Sequence, residues 1–140
     1  MDALAIYRLA NWCYRHHIPL IPSFLQGVIF FLFSSYIPYQ ATIGAGTKIG
    51  HRGIGVVINR DVVIGRNVLI RAHVTIGKKT SAGRAPRIED NVEIGDGAKI
   101  LGDLVVGSDA IIGANAVVVK DVPSGALALG VPARIVERNP

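Results

Sequence analysis

A histidine stands beside a small cluster of glycines in the run His51-Arg52-Gly53-Ile54-Gly55. Histidine changes charge near neutral pH, so a neutral imidazole in an open position can take a proton from a hydroxyl group. His51 is therefore a candidate general base, and the alternative interpretation is a solvated residue in a turn. A second histidine, His73, stands further along the chain and is the rival base.

The segment that must hold these histidines repeats every six residues from Ile43 to Pro123. A smaller or branched residue follows most of the repeated aliphatic residues after four positions, and a glycine that eases a tight corner often follows after one. The aliphatic positions are Ile43, Ile49, Ile58, Ile64, Ile70, Ile76, Ile88, Ile94, Ile100, Val106, Ile112 and Val118. Such short units bury little alone, but stacked coils share one core, so the pattern predicts an all-β solenoid and not a β-sandwich.

The repeat is interrupted twice. Ile49 and Ile58 are nine residues apart instead of six, with the extra residues within 51–57. Ile76 and Ile88 are twelve apart, which keeps the register, but residues 78–87 between them contain Gly, Pro and four basic residues and predict an exposed loop. Function often lies where a regular scaffold is interrupted.

Residues 1–40 predict a helical segment that precedes a solenoid domain of residues 41–140. We expect Asp2 to cap a basic helix over 2–17, and Ser23 to cap a second helix over 24–36. At about 1.5 Å per residue, the second helix is too short to span a bilayer. Two interpretations stay open: the helices pack on the solenoid or on a neighbouring subunit, or residues 18–38 make a peripheral membrane contact.

The composition restricts the partners. Half of the residues are hydrophobic and 18% are charged, which leaves apolar surface for other subunits or a membrane face. The net charge of +5 suits an anionic ligand, but no Lys/Arg run or aromatic-interleaved basic motif supports nucleic acid. The single cysteine, Cys13, cannot form an internal disulfide and fits a cytoplasmic location, with or without peripheral attachment to the membrane.

Four motifs follow one another in the order HRGIGVVI at 51–58, VTIG at 74–77, AKILG at 98–102 and GVPARIV at 130–136. With the hexapeptides, they resemble the serine acetyltransferase branch of the hexapeptide-repeat acyltransferases over about residues 41–137. The resemblance implies a left-handed parallel β-helix of about four coils, and a homotrimer with the acyl site between adjacent subunits. It also implies that His51 is catalytic: it deprotonates the acceptor hydroxyl, which attacks the thioester of acetyl-CoA.

Two departures from that branch point away from serine as the acceptor. Tyr36 takes the position of the family's orienting aspartate, and residues 83–86 read Gly-Arg-Ala-Pro where the family has Asp-Arg-His-Pro. The short apolar lead and the GVVIN sequence look more like polysaccharide O-acetyltransferases of the colanic acid type. We therefore expect O-acetylation of a saccharide or its lipid- or nucleotide-linked precursor, with serine or another small hydroxyl compound as the alternative. The expected substrate-binding residues are Arg52, His73 and Arg84.

The expected co-substrate, acetyl-CoA, is long and anionic. Gly77, Gly95 and Gly113 recur at intervals of three hexapeptides, so the period predicts that they stack on one corner and leave room for the pantetheine arm. The expected phosphate contacts are Lys78, Lys79, Lys120 and Arg134.

We expect no metal. The γ-type carbonic anhydrases share the expected fold but hold zinc with three histidines. Apart from His51 and His73, the only histidines here are His16 and His17 in the helical lead.

Overall fold

The structure, a computed structural model, describes residues 1–138 as two short helices followed by a parallel β-solenoid. The helices are α1 (Ala3–Arg15) and α2 (Ile21–Phe33), and a short 3₁₀ helix spans Gly50–Gly53. The strands are β1 (Thr42–Ile43), β2 (Lys48–Ile49), β3 (Val57–Ile58), β4 (Val63–Ile64), β5 (Leu69–Ile70), β6 (Thr75–Gly77), β7 (Arg87–Ile88), β8 (Glu93–Ile94), β9 (Lys99–Leu101), β10 (Val105–Val106), β11 (Ile111–Ile112), β12 (Val117–Val118), β13 (Leu127–Leu129) and β14 (Arg134–Val136). The strands are short because the chain turns a corner about every six residues.

The strands form three sheets. Sheet 1 contains β1, β4, β7 and β10; sheet 2 contains β2, β5, β8, β11, β13 and β14; sheet 3 contains β3, β6, β9 and β12. The strand pairs are parallel apart from the antiparallel pair of β13 and β14. Each turn of the chain adds one strand to each sheet, which gives about four coils. This confirms the predicted solenoid and is consistent with a left-handed hexapeptide β-helix.

The register of the strand pairs measures the two interruptions. Arg87 pairs with Val105, so an uninterrupted coil is three hexapeptides long. Thr42 pairs with Val63, and Val63 pairs in turn with Arg87. The first of these spacings exceeds an uninterrupted coil by three residues and the second exceeds it by six. Each interruption is therefore an insertion into a single coil.

The six-residue insertion overturns the predicted stack of three glycines. Gly77 ends β6 in sheet 3, whereas Gly95 and Gly113 follow strands of sheet 2. Gly95 and Gly113 do stack, since a Cβ on Gly95 would lie 2.9 Å from the carbonyl carbon of Gly113. Gly77 lies on the next corner. The prediction failed because an insertion of one whole hexapeptide leaves the six-residue spacing unchanged.

The regular corners that follow strands of sheets 1 and 2 have a left-handed residue three positions after the buried aliphatic residue. Gly46 and Gly97 hold that position with φ of 77° and 74°, and Asn67 and Asn115 hold it with φ of 55° and 58°. Glycine and asparagine tolerate this conformation better than most residues. The left-handed position is thus not the glycine directly after the aliphatic residue, to which the sequence assigned the corner.

The glycine directly after the aliphatic residue serves close stacking. A Cβ on Gly95 would lie 2.6 Å from the backbone nitrogen of Ala114 in the next coil. Because no side-chain atom fits in that gap, glycine lets the coils approach one another.

Helix α1 closes the N-terminal end of the solenoid. The Arg8 guanidinium donates hydrogen bonds to the carbonyls of Ile43 and Gly44, both at 2.7 Å, and the Tyr7 hydroxyl donates to the carbonyl of Ala41. These carbonyls lie on the first coil, where no earlier coil can pair with them. Burial raises the pKa of the Tyr7 hydroxyl, and the positive charge of Arg8 opposes that rise.

The helix starts confirm one predicted cap and correct the other. The Asp2 carboxylate accepts a hydrogen bond of 2.9 Å from the N–H of Ala5, as predicted. Helix α2 begins at Ile21, so the predicted cap at Ser23 is wrong. Pro22 fits the first turn, because the N–H that proline lacks would have no partner there.

Helix α2 presents apolar side chains to solvent. Ile29 is buried in the same core as the solenoid residues, whereas Leu20, Phe24 and Phe31 are 84%, 70% and 85% exposed. Neither helix of the described chain combines the length and apolar character needed to cross a membrane. The helices and the solenoid thus share one core, and the division at residue 40 stays a prediction.

Strand β14 closes the C-terminal end of the solenoid by pairing antiparallel with β13. Beyond it, the Arg138 guanidinium donates to the carbonyls of Gly125 and Asp109, both at 2.8 Å. An arginine therefore satisfies carbonyls at this end of the solenoid, as Arg8 does at the other end.

Candidate active site

His51 lies in the three-residue insertion that follows β2. The chain leaves β2 at Ile49, forms the short 3₁₀ helix, and turns the corner Gly53–Val56 into β3. His51 and Arg52 have positive φ angles of 47° and 61°, which is uncommon for residues with side chains. Both side chains are exposed, so the insertion presents an imidazole and a guanidinium to solvent.

The corner between sheet 2 and sheet 3, here called the His51 edge, gathers five of the predicted site residues. It comprises residues 50–56, 71–74, 95–98 and 113–116 of successive coils. The predicted residues on it are His51, Arg52, His73, Gly95 and Gly113. The structure therefore places these five positions on one edge, to which four successive coils contribute.

His73 packs directly on the turn that follows His51. Its ring lies over Gly55, where a Cβ would overlap the imidazole. The side chain of Asn67 lies over Gly46 in the same way, and His73 has a φ of 58°, close to that of Asn67. Its place therefore follows from corner stacking, and histidine adds a titratable ring beside the His51 turn.

Lys99 is a residue of this region that the sequence analysis missed. It is half-buried on the outward side of β9, and its ammonium donates to the carbonyls of His73 at 3.1 Å and Gly97 at 2.9 Å. Lys99 therefore ties together two coils of the His51 edge. In the sequence, Lys99 is recognisable only as the lysine of the AKILG motif. Its role could not be predicted there, because its two partners lie on corners of different coils.

Tyr36, at the position of the family's orienting aspartate, stands at the start of sheet 3. Its N–H donates to the carbonyl of Val56 at 2.8 Å, and its carbonyl accepts from the N–H of Ile58 at 2.8 Å. Its backbone therefore pairs with the segment that leaves the His51 turn.

The corner between sheet 3 and sheet 1, here called the loop edge, carries a second group of predicted residues. They are Gly77, Lys78, Lys79, Arg84 and Lys120. Arg84 and Lys120 are exposed, and Lys120 lines a pocket with Asp121 and Pro132. Sheet 3 lies between the two edges, so both groups border one face of the solenoid. Arg134 is apart from them in β14, at the end of sheet 2.

Lys78 is already paired. Its ammonium lies 2.8 Å from the carboxylate of Asp61 in the preceding coil. The hydrogen bond from Lys78, helped by its positive charge, lowers the pKa of Asp61. The pair ties the start of the long loop to the first coil, and a bound phosphate would compete with Asp61 for Lys78.

The chemistry available along sheet 3 is proton removal and attraction of anions. An exposed imidazole and several cations surround a surface whose backbone is close-packed at glycines. Within residues 1–138, no three His, Cys, Asp or Glu side chains lie close enough together to hold a metal ion.

Part of the solenoid matches a known family. Residues 85–120 match the model described as bacterial transferase hexapeptide (six repeats). Comparison with curated proteins finds no match.

Several solved structures are similar over nearly the whole chain. The serine acetyltransferase of Brucella abortus strain S19 is 37% identical with a TM-score of 0.90, over 96% of this chain and 55% of that one. Soybean serine acetyltransferase complexed with serine is 39% identical with a TM-score of 0.88, over 96% of this chain and 56% of that one. A serine acetyltransferase in complex with CoA is 39% identical with a TM-score of 0.87, over 96% of this chain and 55% of that one.

The chain spans just over half the length of these solved chains. The matches support the predicted resemblance to the serine acetyltransferase branch. They do not support the closer resemblance to polysaccharide O-acetyltransferases.

Proposed function

We propose that this protein is an acetyl-CoA-dependent O-acetyltransferase with His51 as its general base. The observation that carries the proposal is the three-residue insertion, which presents His51 on a solenoid similar to serine acetyltransferases over 96% of the chain. A regular corner would need none of these residues.

The reaction uses the groups of this edge in one direct transfer. The neutral imidazole of His51 takes the proton of the acceptor hydroxyl, and the oxygen attacks the thioester carbonyl of acetyl-CoA. The bond from carbon to sulfur then breaks, and the CoA thiolate leaves and takes up a proton. Arg52 and His73 are the proposed acceptor contacts beside His51, with Arg84 reaching from the long loop.

CoA is the proposed co-substrate, and a solved structure named as a complex with CoA supports this choice. Gly95 and Gly113 would border the pantetheine arm on the His51 edge, while Gly77 would border it from the loop edge. The proposed phosphate contacts are Lys78, Lys79, Lys120 and Arg134, of which Lys78 must first leave Asp61.

The first candidate acceptor is serine or another small hydroxyl compound, since a soybean relative is named as complexed with serine. A saccharide is the second candidate. It is favoured by residues 83–86, which lack the aspartate and histidine of the family's loop and so lack charges that would hold a zwitterion.

We also propose a homotrimer, located in the cytoplasm, with the acyl site between adjacent subunits. We propose in addition that residues 18–38 make peripheral contact with an anionic membrane. Its support is the exposed apolar side of α2 beside Arg15, His16 and His17, together with the lack of any acidic residue between Asp2 and Asp61.

The first experiment is a calorimetric titration with CoA and acetyl-CoA, followed by assays of CoA release with serine and with saccharide acceptors. Saturable binding and acceptor-dependent release, abolished in His51→Gln, would support the proposal and identify the acceptor class. A folded protein that binds neither compound at millimolar concentration would contradict it.

The membrane contact is tested by sedimentation with vesicles containing phosphatidylglycerol. Binding that is lost in Phe24→Ser/Phe31→Ser would support the contact. A trimer that stays in the supernatant would contradict it.

A further inference from the structure

Apart from Tyr7, two residues with polar side chains are buried in the described chain, and both side chains carry a hydroxyl. Ser35 is 1% exposed and Thr47 is 7% exposed. Ser35 follows the left-handed cap of α2 at Ser34, and Thr47 lies on the first regular corner of the solenoid. A buried hydroxyl needs hydrogen-bond partners, and the partners of these two are alike.

The Ser35 hydroxyl brackets the corner that follows His51. It donates to the carbonyl of Gly53 and accepts from the N–H of Val56 at 3.2 Å. The carbonyl of Phe33 also lies 3.1 Å from this oxygen. Ser35 thereby joins the end of α2 to both ends of the turn Gly53–Val56.

Thr47 brackets a regular corner with the same two bonds. Its hydroxyl donates to the carbonyl of Gly65 at 2.9 Å and accepts from the N–H of Val68 at 3.2 Å. The corners 53–56 and 65–68 are therefore held alike, and one difference between them is the insertion of residues 50–52 before the first.

The insertion needs such an anchor because its backbone is unfavourable. His51 and Arg52 both have positive φ, and residues with side chains persist in that region only where their surroundings fix them. Strand β2 fixes the turn on one side. On the other side, the bond from Val56 to the Gly53 carbonyl is long at 3.3 Å, and Ser35 adds to it.

We infer that Ser35 is a positioning residue for His51: its hydroxyl fixes the corner that orients the general base. The inference rests on the proposed function for its kinetic consequence. It assigns to the end of α2 part of the work that the family's aspartate does elsewhere, through the backbone of the turn and not through the imidazole itself.

The test compares Ser35→Ala with Thr47→Ala, since each removes the same two bonds from equivalent corners. We expect kcat to fall about 10- to 100-fold in Ser35→Ala, because a displacement of about 1 Å can cost that much. The KM for acetyl-CoA should change less than about threefold. Thr47→Ala should keep kcat within about threefold. Ser35→Thr should keep most of the wild-type kcat, because threonine makes both bonds at position 47.

A second readout does not depend on catalysis. The imidazole NMR signals of His51 can be assigned by their absence in His51→Gln. Their chemical shifts, compared over a pH series, should differ from wild type in Ser35→Ala and match it in Thr47→Ala. Unchanged His51 signals with unchanged kcat in a folded Ser35→Ala would overturn the inference, as would an equal loss of kcat in Thr47→Ala. If the wild type acetylates no acceptor, the proposed function fails, and the His51 signals alone then decide whether Ser35 positions this residue.

Discussion

The regular corners and the two interrupted corners of this solenoid obey the same rules of packing but differ in what they expose. A regular corner after sheet 1 or sheet 2 has a buried residue, a left-handed residue and a hydrogen bond to the next coil, and little of it is free to react. The His51 corner keeps these features at 53–56 and adds three residues in front of them. The long loop likewise adds six residues and leaves the strand pairing intact.

The difference shows how a repeat can acquire chemistry without losing its core. The ladders continue on both sides of each insertion, so the added residues do not have to stabilise the fold. They can therefore adopt strained or exposed conformations, as His51 and Arg52 do.

The largest expected effect comes from the insertion itself. His51→Gln should lower the rate of acetyl transfer by about 10²- to 10⁴-fold, because a general base contributes about that factor. The fold should be unchanged, because the imidazole is exposed. Steady-state kinetics measure the rate of acetyl transfer, and circular dichroism checks that the fold is unchanged. A variant with full activity would mean that the insertion has no catalytic role.

The next largest effect is a difference in stability between substitutions at a stacked corner and at an interrupted corner. Gly95→Ala should destabilise the fold by about 1–3 kcal/mol, because the new Cβ would lie 2.6 Å from a backbone nitrogen. Gly77→Ala should change stability by less than about 0.5 kcal/mol, because the nearest atom to its Cβ is a leucine methyl at 3.9 Å. Urea unfolding of both variants checks this, and equal losses would contradict the assignment of Gly77 to a different corner.

A smaller effect is expected where a histidine replaces a corner asparagine. His73→Asn should leave stability within about 0.5 kcal/mol, because Asn67 lies over its glycine in the same way. The KM for the acceptor should rise about 2- to 12-fold if a hydrogen bond of about 0.5–1.5 kcal/mol is lost. An unchanged KM would show that the role of His73 is limited to the corner.

The smallest effect concerns the ion pair at the start of the long loop. The pKa of Asp61 is lowered in the folded state, so its contribution to stability is present above its unfolded pKa and is lost as pH falls through the folded value. Wild type should therefore lose slightly more stability than Asp61→Asn between pH 7 and acid. Urea midpoints at low salt measure the difference, which added salt should reduce. Parallel pH profiles would show that the pair does not stabilise the loop.

The sequence alone predicted the solenoid, because the fold requires a buried apolar residue at every sixth position and this spacing is visible in the sequence. It also located both interruptions, since an insertion shifts or dilutes that period. The same counting failed for Gly77, because an insertion of six leaves the spacing unchanged while it moves the glycine to another corner. The start of α2 was also misplaced, since both Pro22 and Ser23 can begin a helix.

Residues whose roles depend on contacts between coils could not be found in this way. Lys99 bonds to His73 in the preceding coil, and Ser35 bonds to Gly53 and Val56, both well beyond it along the chain. In the sequence, Ser35 is one of two adjacent serines after an apolar helix, and nothing local separates it from Ser34. Only the winding of the chain shows which hydroxyl is buried beneath the His51 turn.

The register also determines how the protein can be made. Parallel strand partners lie about one coil apart along the chain, so no strand has to wait for a distant segment. At about 5–20 residues per second, a ribosome delivers one coil in roughly 1–4 s. Ser35, His73 and Lys99, the residues that hold or flank the His51 turn, all precede Leu101, the last residue of β9. The His51 turn can therefore assemble before the final coils have emerged from the ribosome.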